Sequence, residues 1–452
     1  MSQTFQKKDS PAGLQIRKAV SNAAWLFGDR IFRMLVGLIV GAWVARYLGP
    51  EQFGLLNYAI AFTSLSAGIA ALGLNAVVVR DLINHPDDRE ATLGTTTVLL
   101  AIGAAVALSV TVLAIRYLRP ADTVMQLMVA ILGAVMLSKV SEAVKYWYEA
   151  TTQSKYSIWI ENCAFLLVSL AKVILIIGGA GLMAFAWLSL FESVVISIFL
   201  FYVYHKKEQK ISTWRYEKQR AMALLKDSWP LAISSLAAML YMRIDQIMIG
   251  EMLGEKALGT YSAAVRISEI FYFIPTALAA SAYPMIIAGK KMSEEMYYKR
   301  IANLFSSFSV ISLLIAITVS LTSSKIVNIL YGQEFADAAR ILTLNVWAGI
   351  FVYLGVGSGR WFVVEGLQRF TFYRTLAGAL INVGLNIFMI PKFGAIGAAF
   401  ATVVAQAVAS VLCNAINKKT RKIFKLQMRS MMWIDVIQLA VRKILPESKI
   451  TT

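Results

Sequence analysis

Residues 94–116, GTTTVLLAIGAAVALSVTVLAIR, run for 22 positions without an ionisable side chain before Arg116 closes them. As a helix rising about 1.5 Å per residue this stretch is roughly 34 Å long. That spans the roughly 30 Å hydrocarbon core of a bilayer. The rest of the chain repeats the pattern. Of its 452 residues 58% are hydrophobic and 15% charged, and the mean hydropathy is +0.64. A soluble domain is nearer 45–50% apolar and 25% charged. Folded in water, this chain would expose large apolar patches and aggregate. Disorder is excluded by the same abundance of apolar surface.

Twelve such stretches follow one another: 22–46, 54–80, 94–116, 122–147, 157–178, 182–204, 228–250, 257–287, 301–322, 341–364, 371–390 and 394–416. The connections are short, and none is large enough for a soluble domain. The expectation is an all-α polytopic membrane protein of about 12 transmembrane helices. Its parts are an N-terminal segment 1–21, a six-helix bundle 22–204, a basic linker 205–227, a second six-helix bundle 228–416 and a basic tail 417–452. In the tail Met428, Met431, Met432, Ile437, Val441 and Leu445 recur at helical spacing, which predicts an amphipathic helix at the membrane surface.

The 44 basic residues outnumber the 26 acidic ones, and they are not spread evenly. With the N-terminus on one side, alternate connections and both termini hold 30 Lys and Arg, and the opposite loops hold 7. This bias marks the N- and C-termini as cytoplasmic. It also accounts for the surplus without nucleic acid, whose binders gather charge on a soluble face. Cys163 and Cys413 are far apart in apolar stretches, and His85 and His205 lie in polar loops. No disulfide framework, metal cluster or cofactor is therefore expected. There is no GxxxxGK[ST] nucleotide loop, and the outer loops are too short for the carboxylates of a glycan-handling enzyme.

Leu48-Gly49-Pro50-Glu51-Gln52-Phe53-Gly54 after the first span matches Leu253-Gly254-Glu255-Lys256-Ala257-Leu258-Gly259 after the seventh. The offset is 205 residues, and a Tyr–Ala stretch follows each. The spacing predicts a duplicated six-helix unit. Six is even, so the halves are parallel, related by an axis along the membrane normal around a central cavity.

Charges inside spans are costly and point to wet cavities or partners. The basic set is Arg30, Arg33, Lys139, Lys172, Arg243, Arg266 and Arg360; the acidic set is Asp29, Glu142, Glu161, Glu192, Asp245 and Glu269. Arg33 lies about 17 Å along its helix, too deep to snorkel. Guanidinium groups grip phosphate bidentately and a lysine ammonium attracts it as a point charge, so Arg30, Arg33, Lys139, Arg243 and Arg266 are candidate anion-binding residues. Asp29, Glu142, Asp245 and Glu269 are candidates for coupling to a proton or cation. Local pairing is the structural alternative for each: Asp29 with Arg33, Lys139 with Glu142, and a web joining Arg243, Asp245, Arg266 and Glu269. Gly37 and Gly41 form a GxxxG that reads as close helix packing.

Residues 21–62, SNAAWLFGDRIFRMLVGLIVGAWVARYLGPEQFGLLNYAIAF, and 382–406, NVGLNIFMIPKFGAIGAAFATVVAQ, resemble the polysaccharide-biosynthesis exporters, the Wzx-type O-antigen flippases of the MOP (MATE-like) superfamily. The resemblance implies a transporter, not an enzyme. It would move an undecaprenyl-diphosphate-linked oligosaccharide across a bacterial inner membrane by alternating access, coupled to an ion gradient or the membrane potential. It further implies Arg30, Arg33 and Arg266 as cavity residues, and membrane lipids, a polysaccharide polymerase and a chain-length regulator as partners. A drug/cation antiporter of the same superfamily is the nearest alternative, although its cavity should be acidic. A membrane glycan polymerase or transferase is the more distant one.

Overall fold

The computed structural model describes residues 11–207 and 211–432, with side chains from Gly28 onward except that of Asp29. Among the described residues every regular element is helical. The first half comprises α1 (Pro11–Ala71), α2 (Leu74–Asn84), α3 (Arg89–Leu118), α4 (Thr123–Ala134), α5 (Glu142–Ala150), α6 (Lys155–Ile177) and α7 (Leu182–Lys207). The second comprises α8 (Lys218–Leu253), α9 (Glu255–Ile270), α10 (Phe273–Met292), α11 (Glu294–Tyr331), α12 (Ala338–Asn345), α13 (Ala348–Val364), α14 (Gln368–Ala407), α15 (Cys413–Ile416) and α16 (Arg421–Met431).

Ten helical stretches among the described residues are long and apolar enough to cross a bilayer. Two of them, Arg30–Asn84 and Gln368–Ile416, have 55 and 49 residues. At 1.5 Å per residue they reach roughly 80 and 70 Å, more than twice a hydrocarbon core. Both break at a glycine, Gly49 (φ 71°, ψ 170°) in α1 and Gly394 (φ 60°, ψ −147°) in α14. The sequence count of twelve thus meets ten stretches and two internal breaks. Several expected single helices are also interrupted. The fourth span is α4, a 3₁₀ segment Val135–Ser141, and α5. The eighth bends between α9 and α10, just ahead of Pro275, and the tenth bends between α12 and α13. The expected linker shortens, because α8 is already helical from Lys218.

The repeat has a structural counterpart. Gly254 (φ 83°, ψ 179°) adopts nearly the conformation of Gly49, in a region open essentially to glycine alone. The two motifs also touch. A Cβ added to Gly54 would lie 1.8 Å from the Glu255 carbonyl oxygen, and one added to Gly259 would lie 1.9 Å from that of Pro50. Pro50 and Glu255 are equivalent positions in the repeat. The contact therefore maps onto itself, as an interface on a two-fold axis must.

Core packing shows how the halves meet. One cluster joins both at the end with few basic residues, with Ala42, Phe53 and Tyr58 packed with Ile249, Leu258 and Tyr261. Toward the basic-rich end there are two separate clusters. One, around Trp147, Tyr148 and Tyr204, belongs to the first half and includes the start of α8; the other, around Phe305, Trp361 and Phe362, belongs to the second. The halves share a core at one end and diverge at the other. The outer surface carries a dense apolar belt, as on Leu166, Leu167, Leu170 and Ile174 of α6. A multi-pass membrane protein presents such a surface to lipid.

The tail departs from expectation in part. Its described helix α16 docks on protein through Ile423, Gln427 and Ser430. The Gln427 amide donates to the Leu354 and Ser410 carbonyls (3.2 and 3.0 Å) and accepts from Asn414 (2.8 Å). Its inner face is partly polar because Gln427 reaches a carbonyl inside α13 and one in the π-helical segment Val408–Leu412. Ile437, Val441 and Leu445 lie outside the described residues.

Candidate functional site

Of the charged residues expected from sequence, Arg30 and Arg266 reach across to the opposite half, while Arg33, Lys139, Glu142 and Asp245 pair or are buried within their own half. Arg33 of α1 places Nη1 3.5 Å from Glu161 Oε2, and Glu161 Oε1 is 2.5 Å from Lys145 Nζ. The Arg33 guanidinium also lies over the Phe165 ring at 5.3 Å, within cation–π range. Two cations share one carboxylate, so the group keeps a positive excess. Arg30 is exposed and reaches Phe273 of the opposite half, 5.8 Å from its ring centre. Asp29, expected as a partner of Arg33 and as a coupling group, lies outside the residues whose side chains are described.

Arg266 of α9 reaches across to α1, where Nη2 donates to the Gly37 carbonyl at 3.1 Å. A Cβ at Gly41 would come within 2.6 Å of its guanidinium carbon. The GxxxG reading is corrected at Gly41, whose open side seats an arginine of the opposite half; Gly37 gives that arginine its carbonyl and faces Phe165. Lys172 lies in the electrostatic neighbourhood of Glu192 and Arg266, and Glu192 in that of Lys172 and Arg33.

Lys139 and Glu142 do pair, Nζ to Oε1 at 2.5 Å, and the Tyr146 hydroxyl donates to Glu142 Oε2 at 3.0 Å. They line a cavity of about 450 Å³ rich in hydroxyls, among them Thr63, Ser138, Ser141, Ser193 and Ser197. The 3₁₀ segment tightens this wall. Ser138 donates to the Val135 carbonyl, Ser141 to the Ser138 carbonyl, and Ser197 of α7 to both Ser138 O and Ser141 Oγ.

The web expected among Arg243, Asp245, Arg266 and Glu269 is not formed. Among the described residues none of the four makes a salt bridge. Asp245 is instead buried within neutral groups of the second half. Oδ2 accepts from Thr402 Oγ1 (2.6 Å) and Tyr261 OH (3.0 Å), and Oδ1 accepts from Asn386 Nδ2 (2.8 Å). The Asn386 amide also donates to Asn382 Oδ1 at 3.1 Å, while its own buried oxygen has no partner. A cavity of about 50 Å³ adjoins them, lined also by Tyr241 and Glu269. It is a cluster of hard oxygen atoms around two ionisable carboxyls, Asp245 and Glu269. An isolated charge there needs compensation by a proton or a cation.

Two features were missed in the sequence. Arg374, absent from the intramembrane basic set, lies in α14 and donates to Ser358 Oγ (2.6 Å) and the Gly355 carbonyl (3.1 Å), over the Phe362 ring at 4.9 Å. Arg119, at the C-cap of α3, is the hub of a bridge between halves. Its Nε meets Glu251 at 2.9 Å, its Nη1 meets Glu255 at 2.6 Å, and its guanidinium covers the Tyr58 ring at 4.3 Å. Tyr58 in turn hydrogen-bonds Glu251. Arg46 adds a bond from Nη2 to the Asn328 carbonyl at 3.3 Å. These contacts lock the basic-poor end, where the glycine seam lies.

Paired helical halves that share a core at one end and part at the other define the fold class of alternating-access membrane transporters. The chain belongs to the polysaccharide biosynthesis protein family, whose model matches residues 19–290; the MatE model matches residues 230–388. It is 25% identical over 407 residues to a Haloferax volcanii protein named "Probable flippase AglR", covering 87% of this chain and 82% of that one. It is 19% identical over 397 residues to the capsular polysaccharide biosynthesis protein CapF of Staphylococcus aureus, covering 87% and 97%. The fold is similar to the lipid II flippase MurJ in an inward closed conformation (TM-score 0.71, 13% identity, 92% of each chain). It is also similar to an inward-facing MATE multidrug transporter of the MOP superfamily (TM-score 0.66, 14% identity, 91% and 96%).

Proposed function

We propose that this protein flips an undecaprenyl-diphosphate-linked oligosaccharide across the bacterial inner membrane for O-antigen or another surface polysaccharide. The observation that supports the reading is a set of cations near the junction of the halves, with Arg266 on the Gly37 carbonyl and Arg30 over the Phe273 ring. Among the described residues neither Arg30 nor Arg266 makes a salt bridge, and Arg33 shares Glu161 with Lys145. A diphosphate is the anion such a set offsets, while the polyprenyl tail stays in lipid. The conformation is closed at the basic-poor end, so loading is from the basic-rich, cytoplasmic side.

Asp245, with Thr402, Asn386 and Tyr261, is the coupling site for a proton or a monovalent cation. Glu269 lines the same cavity and lies in the electrostatic neighbourhood of Arg243 and Arg266, which links ion occupancy to the substrate arginines. Glu142, held by Lys139, is a wall residue of the first half's cavity. A polymerase and a chain-length regulator are the expected partners of the translocated product.

Arg33→Ala tests the reading. Losing a charge-assisted contact worth about 1.5–3 kcal/mol should lower surface glycan about ten- to hundredfold at unchanged protein level. Normal glycan would remove Arg33 from the mechanism. The antiporter reading would instead require altered drug sensitivity on deletion with surface glycan intact.

A further inference from the structure

At the basic-poor end of the second half, away from the arginine-lined space, two cavities run into one another. The first, about 400 Å³, is wholly apolar, lined by Leu344, Met389, Phe393, Ile396, Gly397 and Phe400. The second, about 380 Å³, shares Phe393 and Ile396 and brings in Lys256, Asp337 and Arg340. Phe393, Ile396 and Phe400 are 60%, 39% and 46% exposed, so the apolar part opens to the bilayer. The Gly394 break creates it by turning the chain between the two arms of α14.

The three charged side chains are all exposed, and among the described residues none makes a salt bridge or side-chain hydrogen bond. Asp337 and Arg340 are one helical turn apart at the start of α12 yet do not pair. This end of the molecule holds only seven basic residues in its loops, so two of them around one pocket are a concentration against the trend. An apolar trough ending in two cations and one carboxylate matches one lipid chemistry. A phosphate needs the cations, an ammonium needs the carboxylate, and an acyl chain needs the trough.

We infer that this groove binds a zwitterionic glycerophospholipid with a primary ammonium headgroup, phosphatidylethanolamine. The phosphate is held by Lys256 and Arg340, and the ammonium by Asp337. A polyprenyl diphosphate fits less well, because Asp337 repels its extra negative charge. Phosphatidylglycerol leaves Asp337 without a partner. The site neighbours the seam between the halves, since Lys256 follows the Glu255 that holds Arg119. The inference does not depend on the transported substrate, because its readout is lipid retention.

The test is native mass spectrometry of the full chain, delipidated in detergent and titrated separately with phosphatidylethanolamine, phosphatidylglycerol and undecaprenyl phosphate. Wild type should retain phosphatidylethanolamine several-fold more tightly than the other two. The double variant K256A/R340A should lose about tenfold of that affinity, and D337N should lose the preference over phosphatidylglycerol. Ile396→Asp, which places a charge in the trough, should weaken both phospholipids. Helicity and monodispersity, unchanged in each variant, keep the readings free of misfolding. Equal retention of phosphatidylethanolamine by K256A/R340A and wild type would overturn the inference. So would a wild-type preference for phosphatidylglycerol or undecaprenyl phosphate.

Discussion

Asp245 concentrates the problem a membrane protein faces at a single residue. Its partners Asn386 and Thr402 lie 141 and 157 positions away in sequence. The intramembrane carboxyl was legible in the sequence, but its neutral oxygen shell was not, because long-range packing brings those groups together. For the same reason the expected salt-bridge web could not be told from the observed cluster. Spacing along one helix says which residues share a face, not what the next helix brings. Lys139 and Glu142 were readable as a pair because both lie on one segment. Asp245→Asn removes the ionisable group and keeps an oxygen acceptor for Thr402 and Tyr261. Transport in reconstituted vesicles should then lose its dependence on pH or sodium gradients, with folding retained. Full gradient dependence in this variant would place coupling elsewhere. Arg374 belongs to the same scale. Arg374→Met should strip the Ser358 and Gly355 carbonyl contacts and lower stability by about 1–3 kcal/mol, read as a fall in thermal midpoint. An unchanged midpoint would mean its bonds are replaced by water.

At the scale of elements, the helix ends matter more than the helix middles. The apolar runs were legible almost throughout, since twenty uncharged residues admit few readings. The interruptions were less so. The 3₁₀ segment Val135–Ser141 and the bend at Phe271–Tyr272 carry no proline at the break, and hydroxyl back-bonding or tertiary packing sets them. The glycine motifs were visible as a repeat, while their contact with each other was not. Gly54→Ala inserts a methyl where only 1.8 Å separates it from the Glu255 oxygen. The crossing of α1 and α9 must widen, at a cost of about 1–3 kcal/mol. In a background lacking Cys163 and Cys413, a cysteine at buried Ser262 should then label faster with an impermeant maleimide from the basic-poor side. Labelling at the wild-type rate would show that the seam absorbs the methyl without opening.

For the whole molecule, the arrangement of cores defines the conformational state. A common core at one end and separate clusters at the other mean that the halves can rock about the shared end only by breaking it. The Arg119 bridge to Glu251 and Glu255 is the polar part of that closure. Arg119→Ala should weaken it by about 1–3 kcal/mol, a shift of roughly 5–150-fold toward the opposite-facing state. Spin labels placed across the basic-poor end should report longer distances, and labels across the basic-rich end shorter ones. No change at either end would assign the closure to the apolar seam alone. The composition made a membrane bundle legible, and the basic bias gives its expected orientation. The sequence could not reveal which end is shut, because both states use the same spans.

The seam at Gly54 and Gly259 also carries a history. A surface that fits its own rotated copy can arise before the gene that fuses the copies, when a single six-helix ancestor meets itself as a homodimer. Fusion adds only a tether, which replaces chance encounter by a high local concentration. Two fragments cut within residues 208–217 and made in the same cell should accordingly find each other again and restore surface glycan.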